Sequence, residues 1–285
     1  MSMSLQYKGL LQKRLNFFGG YFILILVTIL ITIPIIALVL GSLKQDADLI
    51  AYPIRILPKV FMWDNYVRVF ELTPFLAVAT RTFILSLSCS IIVTFVSSMV
   101  GYAFARFNVP GNKQLFNVII ALLIVPGIIT LIPQFLVFAR LKMTNTYWPW
   151  YLGAVGGSPF FIFLFRQFFL NFPKELEEAA EVDGCNVLRI FLQIFLPNAK
   201  PVIATVMFFA FLGYWGDYLT PLIYLSDANT LLGVKMATGF INPKGIRLVT
   251  ISLAANVYYI LPMVIVFFIA QKNILKGVIT SGLKG

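Results

Sequence analysis

Residues 17–43 read FFGGYFILILVTILITIPIIALVLGSL, an apolar run without one charged side chain. A helix needs about 20 such residues to cross the hydrocarbon core of a bilayer. It can do so because it satisfies every backbone N–H and C=O within the segment, where no water is available. Comparable runs recur near residues 75–104, 115–139, 148–170, 201–225 and 248–270. The chain therefore reads as an all-α polytopic membrane protein with six transmembrane helices. Composition agrees, with 12% charged residues against about a quarter in soluble domains. The 285 residues suffice for one transmembrane domain over 1–285. It divides into a tail and first helix at 1–43, a five-helix core at 75–270 and a tail at 271–285. The first run is too long for a signal peptide and lacks a clear cleavage site. It reads as a retained helix with Pro34 as a tolerated kink.

Basic residues orient the spans. Lys8, Lys13 and Arg14 precede the first, Arg106 and Lys113 follow the second, and the last fifteen residues are basic. Cytoplasmic segments collect lysine and arginine, so both termini are expected inside, although Arg140 and Lys142 on the outer side blunt the bias. Residues 44–73 carry four basic and four acidic side chains and are expected outside, with WDNYVRVF, Trp63–Phe70, as a short interfacial helix. Residues 226–247 are expected to form an outer loop. The net charge of +11 fits anionic headgroups. No basic run interleaved with aromatics suggests nucleic acid.

The inventory removes several chemistries. With no histidine and two cysteines, Cys89 and Cys185, on separate segments, a histidine-containing zinc site and a Ser-His-Asp triad are excluded. No catalytic or metal-binding residue is expected. The run GAVGGSP, Gly153–Pro159, lacks the Lys-Ser/Thr ending of a phosphate loop, so its glycines read as close packing or a hinge.

Against this background one segment is anomalous. Five of the eleven acidic residues lie in ELEEAAEVDG, Glu175–Gly184. Pro173 suits the first turn of a helix. Glu175, Glu177 and Glu178 suit its positive N-terminal end. Gly184 suits its stop. Val187, Ile190, Phe191, Ile194 and Phe195 then recur at helical spacing. Residues 171–200 thus read as a cytoplasmic helix-turn-helix, charged on one face and apolar on the other. It could rest on headgroups. Anionic lipid repels acids, however, so docking to a protein partner is the competing reading.

EAAEVDGCNVLRIFLQIFLP, Glu178–Pro197, resembles the EAA signature of binding-protein-dependent ABC importer permeases, with Glu178, Ala179, Ala180, Asp183, Gly184 and Pro197 matching position for position. Three more stretches resemble the maltose-type carbohydrate permeases: GYAFARFNVPGNK at Gly101–Lys113, GYWGDYLTPLI at Gly213–Ile223, and the C-terminal QKNILKGVITSGLKG. The similarity is to the smaller, six-span subunit of such pairs. Departures are Gly216 for the usual asparagine, Arg81 where a span-two asparagine is common, and Val278 and Ile279 in the tail. The resemblance implies the type I ABC importer permease fold, with a cytoplasmic coupling helix between helices 4 and 5. It implies a second permease subunit in a heterodimer, two ATP-binding subunits holding ATP and Mg, and an extracytoplasmic solute-binding protein. It implies residence in a bacterial or archaeal plasma (inner) membrane. The six matched residues would couple to the ATPase, and this chain would bind no cofactor itself. Gly282–Gly285 would reach the ATPase pair, and Thr230–Gly245 would probe the binding protein. A sugar or oligosaccharide is the implied solute, with a polyol or a glycerol phosphate-type solute as the alternative. A stand-alone secondary transporter is the rival class. It would want ionisable groups within the spans and a visible internal repeat.

Asp217 is the only acid deep in a span. It could pair with Arg81 at a similar depth, a structural role, or line the translocation path or gate with Trp215 and Tyr218. Trp215, Tyr218 and Tyr224 could contact a sugar or simply pack. Trp148 and Trp150 fit an outer aromatic belt. Arg106 and Arg166 are expected to snorkel from span ends.

Overall fold

The computed structural model describes residues 2–282 apart from Ile54 and Pro243, and side chains within 17–274 apart from those two and Phe18. The roles suggested for Leu283–Gly285, and for the side chains of Lys8, Lys13, Arg14 and Gly282, lie outside the described residues. The described chain is helical, and its one extended pairing is an isolated antiparallel bridge between Ile241 and Arg247. By length and composition four helices can each cross a membrane, or six segments when each of two bent pairs counts as one. The chain divides into two compact units, residues 1–73 with 239–258, and residues 74–238 with 259–285.

The first unit contains α1 (Ser2–Ser42) and α2 (Asp64–Leu72). Proline 34 lies inside α1 without ending it. The last carbonyls of a helix lack intrahelical partners, and here Asn65 Nδ2 donates to Ser42 O at 2.8 Å and to Lys44 O at 2.9 Å. Leu253 Cδ1 comes so close to Gly41 that a β-carbon there would lie 2.8 Å from it.

The second unit is organised around α3 (Phe75–Arg106). The next helices are α4 (Asn112–Leu122), α5 (Gly127–Arg140), α6 (Trp148–Val155) and α7 (Pro159–Leu170). They are followed by α8 (Glu175–Val182), α9 (Val187–Asn198), α10 (Lys200–Trp215), α11 (Leu219–Tyr224) and α12 (Leu232–Thr238). The final helix, α13 (Val249–Gly282), is shared between the units. α3 packs chiefly against α7 and α10. Its inward face carries Thr82, Ser86, Ser90, Thr94, Ser97 and Ser98, all buried. Small residues of this kind let helix backbones approach in an apolar medium, where burial itself gives no drive to associate. Gly101 marks a close approach to α7: a β-carbon there would lie 2.6 Å from Phe165 Cβ and 3.0 Å from Arg166 N.

The described helices depart from six straight spans in specific places. The span expected over 115–139 is broken into α4 and α5, which meet at 98°. Pro126 supplies no N–H to continue the ladder and disfavours helical backbone at Val125. Within 148–170 the helix is interrupted between α6 and α7, where Gly157 adopts φ +72° and Ser97 Oγ accepts from Ser158 N at 3.1 Å. The span expected to reach residue 225 stops at Trp215 and resumes as α11. The loop expected over 226–247 contains α12, whose Leu232 N–H donates to Thr82 Oγ1 at 2.9 Å. That contact spans 150 residues of chain, so no local pattern could announce it.

Candidate functional site

The acidic segment forms α8, with Glu175, Glu177 and Glu178 in its first turn. Negative side chains there complement the partial positive charge of the unsatisfied N–H groups. The helix begins at Glu175, so Pro173 lies just before it rather than in its first turn. Its end is a two-bond C-cap: Cys185 N donates to Ala180 O at 2.9 Å and Gly184 N to Glu181 O at 3.0 Å. This Schellman arrangement requires a left-handed residue, and Gly184 has φ +77°. A β-carbon on Gly184 would meet nothing within 4 Å, so the constraint is backbone handedness rather than space. Asn186 Oδ1 then accepts from Arg189 N at 2.9 Å and caps the start of α9, a role for which asparagine is among the best residues.

α9 contains a π-helical turn, Phe191–Phe195, in which Leu196 N–H reaches back to Phe191 O. Pro197 follows within α9, and it has no N–H to offer Gln193 O, which suits a local shift away from α-helical bonding. Beyond Ala199 the chain turns by 81° into α10.

The residues matched to the EAA pattern divide between two environments. Ala180 is buried among Tyr102, Phe165, Phe169, Ile190 and Phe195. Glu178, Ala179, Asp183, Gly184 and Pro197 are exposed. Val182, 88% exposed, and Leu176, Val187 and Leu188 lie among those acids as uncovered apolar side chains. The surface is thus mixed acidic and apolar.

Three residues outside the matched set hold α8 in place. Arg106 was expected to snorkel, but its side chain is only 6% exposed. Its Nη2 donates to Phe172 O at 2.8 Å, and its Nε lies 3.5 Å from Glu177 Oε2, an ion pair without hydrogen-bond geometry. The guanidinium carbon sits 4.9 Å from the Phe195 ring centre. Tyr102 donates to Glu177 Oε1 at 3.2 Å. A usable signal existed, since Glu177 precedes the buried Ala180 by three residues and so shares its helix face. Arg166 likewise turns inward, donating through Nε to Phe104 O at 3.3 Å and lying 4.0 Å over the Phe116 ring.

Asp217 does not pair with Arg81. Its two oxygens accept from Trp150 Nε1 at 3.0 Å and Thr220 N at 3.2 Å. The second bond caps α11, and the first draws Trp150 inward to 5% exposure rather than onto a belt. Arg81 Nη1 instead donates to Ala228 O at 2.8 Å and Thr230 O at 3.4 Å. Carbonyl dipoles satisfy it where a carboxylate was expected. Trp215 is 2% exposed, donates to Tyr259 O at 3.0 Å and stacks on the Tyr259 ring. Tyr224 is also buried, whereas Tyr218 is exposed. A concavity of about 710 Å³ lies nearby, lined by Thr80, Arg81, Ile84, Tyr147 and Tyr151 among others, but not by Asp217, Trp215 or Tyr218.

A bundle of interrupted membrane helices followed by a capped acidic helix pair defines the class as a multi-pass helical membrane protein. Residues 94–280 match the family model described as binding-protein-dependent transport system inner membrane component. The chain belongs to that family: it is an inner-membrane permease of the ABC importer type. Its relatives include Protein LplC of Bacillus subtilis, 31% identical over 89% of each chain. The arabinooligosaccharides transport system permease protein AraQ of Halalkalibacterium halodurans is 32% identical, over 88% of this chain and 91% of that one. Among solved structures, a bacterial ABC transporter involved in the import of alginate matches with a TM-score of 0.76 and 21% identity, over 91% of this chain and 96% of the other. That likeness concerns the fold.

Proposed function

We propose that this chain is the permease subunit through which an ABC importer passes a sugar or oligosaccharide. The surface of α8 and the turn at Gly184 receive the ATPase in this reading. The observation that carries it is the exposed acidic and apolar face of α8, held at a fixed angle to α9 by the Gly184 cap. ATP and Mg are bound and hydrolysed by separate subunits. A second permease completes the pathway as a heterodimer, and an extracytoplasmic binding protein delivers the solute. Both termini lie in the cytoplasm, on the side of α8. The names of the relatives support a carbohydrate substrate, since AraQ is named for arabinooligosaccharides and the solved importer for alginate.

The test is purification of the tagged chain from its native membranes in mild detergent, with co-purified proteins identified by mass spectrometry. Wild type should bring down an ATPase, a second permease and a binding protein. Gly184→Glu should fold but lose the ATPase, because a non-glycine residue in left-handed backbone costs roughly 1–3 kcal/mol and shifts the docking surface. Recovery of wild type alone, still folded, would defeat the proposal.

A further inference from the structure

The connection between α8 and the membrane helices runs through few side chains. Ala180 is its one buried residue, and Glu177 is its polar anchor, with a side chain 19% exposed. Arg106 is the last residue of α3. From that point it reaches Phe172 before α8, Glu177 within it and Phe195 in α9. Tyr102, one turn earlier on α3, holds the other oxygen of Glu177, and its ring lies 4.7 Å from that of Phe195. One cation and one hydroxyl on a single helix thus grip both arms of the acidic hairpin and the chain leading into it.

The covalent route from the C-terminal end of α8 is indirect, while residues 171–174 join its start to α7. It passes the Gly184 turn, the π-helical turn in α9 and the 81° bend before α10. By contrast α3 is one unbroken helix of 32 residues, roughly 48 Å long at 1.5 Å per residue. A largely buried ion pair is a weak source of net stability, because the Coulomb attraction is offset by desolvation. What it supplies is geometry. A guanidinium fixes direction through its planar fork and can also lie over an aromatic ring, which an ammonium does less well.

We propose that Arg106, Glu177 and Tyr102 form a strut that makes α8 move as one body with α3, so that displacement at the docking face is delivered along the second span. This rests on the reading of α8 as the docking segment. The three are positioning residues: they touch neither nucleotide nor solute.

The test uses the assembled importer in lipid nanodiscs, with spin labels at Lys174→Cys, just before α8, and Leu76→Cys, at the far end of α3. Cys185→Ala removes the half-buried thiol, and Cys89 is fully buried. Distances are read by pulsed electron resonance without nucleotide and with Mg-ATP plus vanadate. The parent should give one narrow distance that does not shift with nucleotide. Arg106→Gln and Glu177→Gln should broaden it even without nucleotide, while the ATPase still co-purifies. Arg106→Lys should broaden it less than Arg106→Gln, because a cation remains beside Glu177 although the planar fork is lost. Tyr102→Phe, which removes only a hydroxyl, should broaden it partially and serves if the charge variants do not fold. A parent distance that shifts with Mg-ATP, variants that stay narrow, or equal broadening in Arg106→Lys and Arg106→Gln would each overturn the strut. Loss of the ATPase from the parent would instead count against the docking reading, and the nucleotide-free widths of parent and variants would still report on the strut.

Discussion

Helices α1 and α3 are both long and apolar enough to span a bilayer, yet they behave oppositely. The spanning part of α1, Gly19–Ser42, has 0% of its most apolar window buried within the chain, whereas Phe75–Arg106 has 44%. Greasiness runs the other way, with a mean hydropathy of 3.2 for the first and 2.2 for the second. α1 is dominated by isoleucine and leucine all round, and lipid chains solvate such a surface as well as another helix would. α3 instead carries a stripe of serine, threonine and glycine that admits α7 and α10 to close range. The small residues of α3 bring helix backbones together, and large side chains such as Phe165, Phe169 and Phe195 then fill the core around them.

Substitutions can break or sharpen that contrast. The largest effect is expected from Gly101→Leu. Its side chain would have to displace Phe165 and the α7 backbone, and overpacking of this kind costs about 1–3 kcal/mol or more. Thermal unfolding in detergent should show a clear drop in Tm, with Gly20→Leu as the matched control, because nothing lies within 4 Å of a β-carbon there. A smaller loss is expected for Ser97→Ala, which removes the acceptor of the Ser158 N–H at the break between α6 and α7. One such hydrogen bond is worth about 1 kcal/mol, again read as a Tm shift. The smallest effect is expected for Ile29→Ala on α1, within about 0.5 kcal/mol. An Ile29 effect equal to that of Gly101 would erase the distinction between the two helices.

The acidic hairpin was largely legible because its signals are local. The glutamates at the start of α8, the glycine at its stop and the asparagine at the start of α9 each act within five residues. Arg106 and Asp217 were not legible in the same way. Read alone, an arginine at a span end snorkels and an acid in a span seeks a cation. Their actual partners are Phe172 and Glu177 for the first, 66 and 71 positions away, and Trp150 for the second, 67 positions away. Sequence spacing carries no information about such pairs.

The class of this protein followed from the sequence by itself, because a bilayer accepts few kinds of segment and the long, nearly charge-free runs meet that requirement. The acidic helix pair was legible for a similar reason, being contiguous and governed by capping chemistry. Tertiary structure decided where the spans break, that α12 exists within an expected loop, and which polar groups meet inside the bundle. Those outcomes depend on partners contributed from far along the chain, and a buried arginine or aspartate takes whichever donor or acceptor the packing brings within reach.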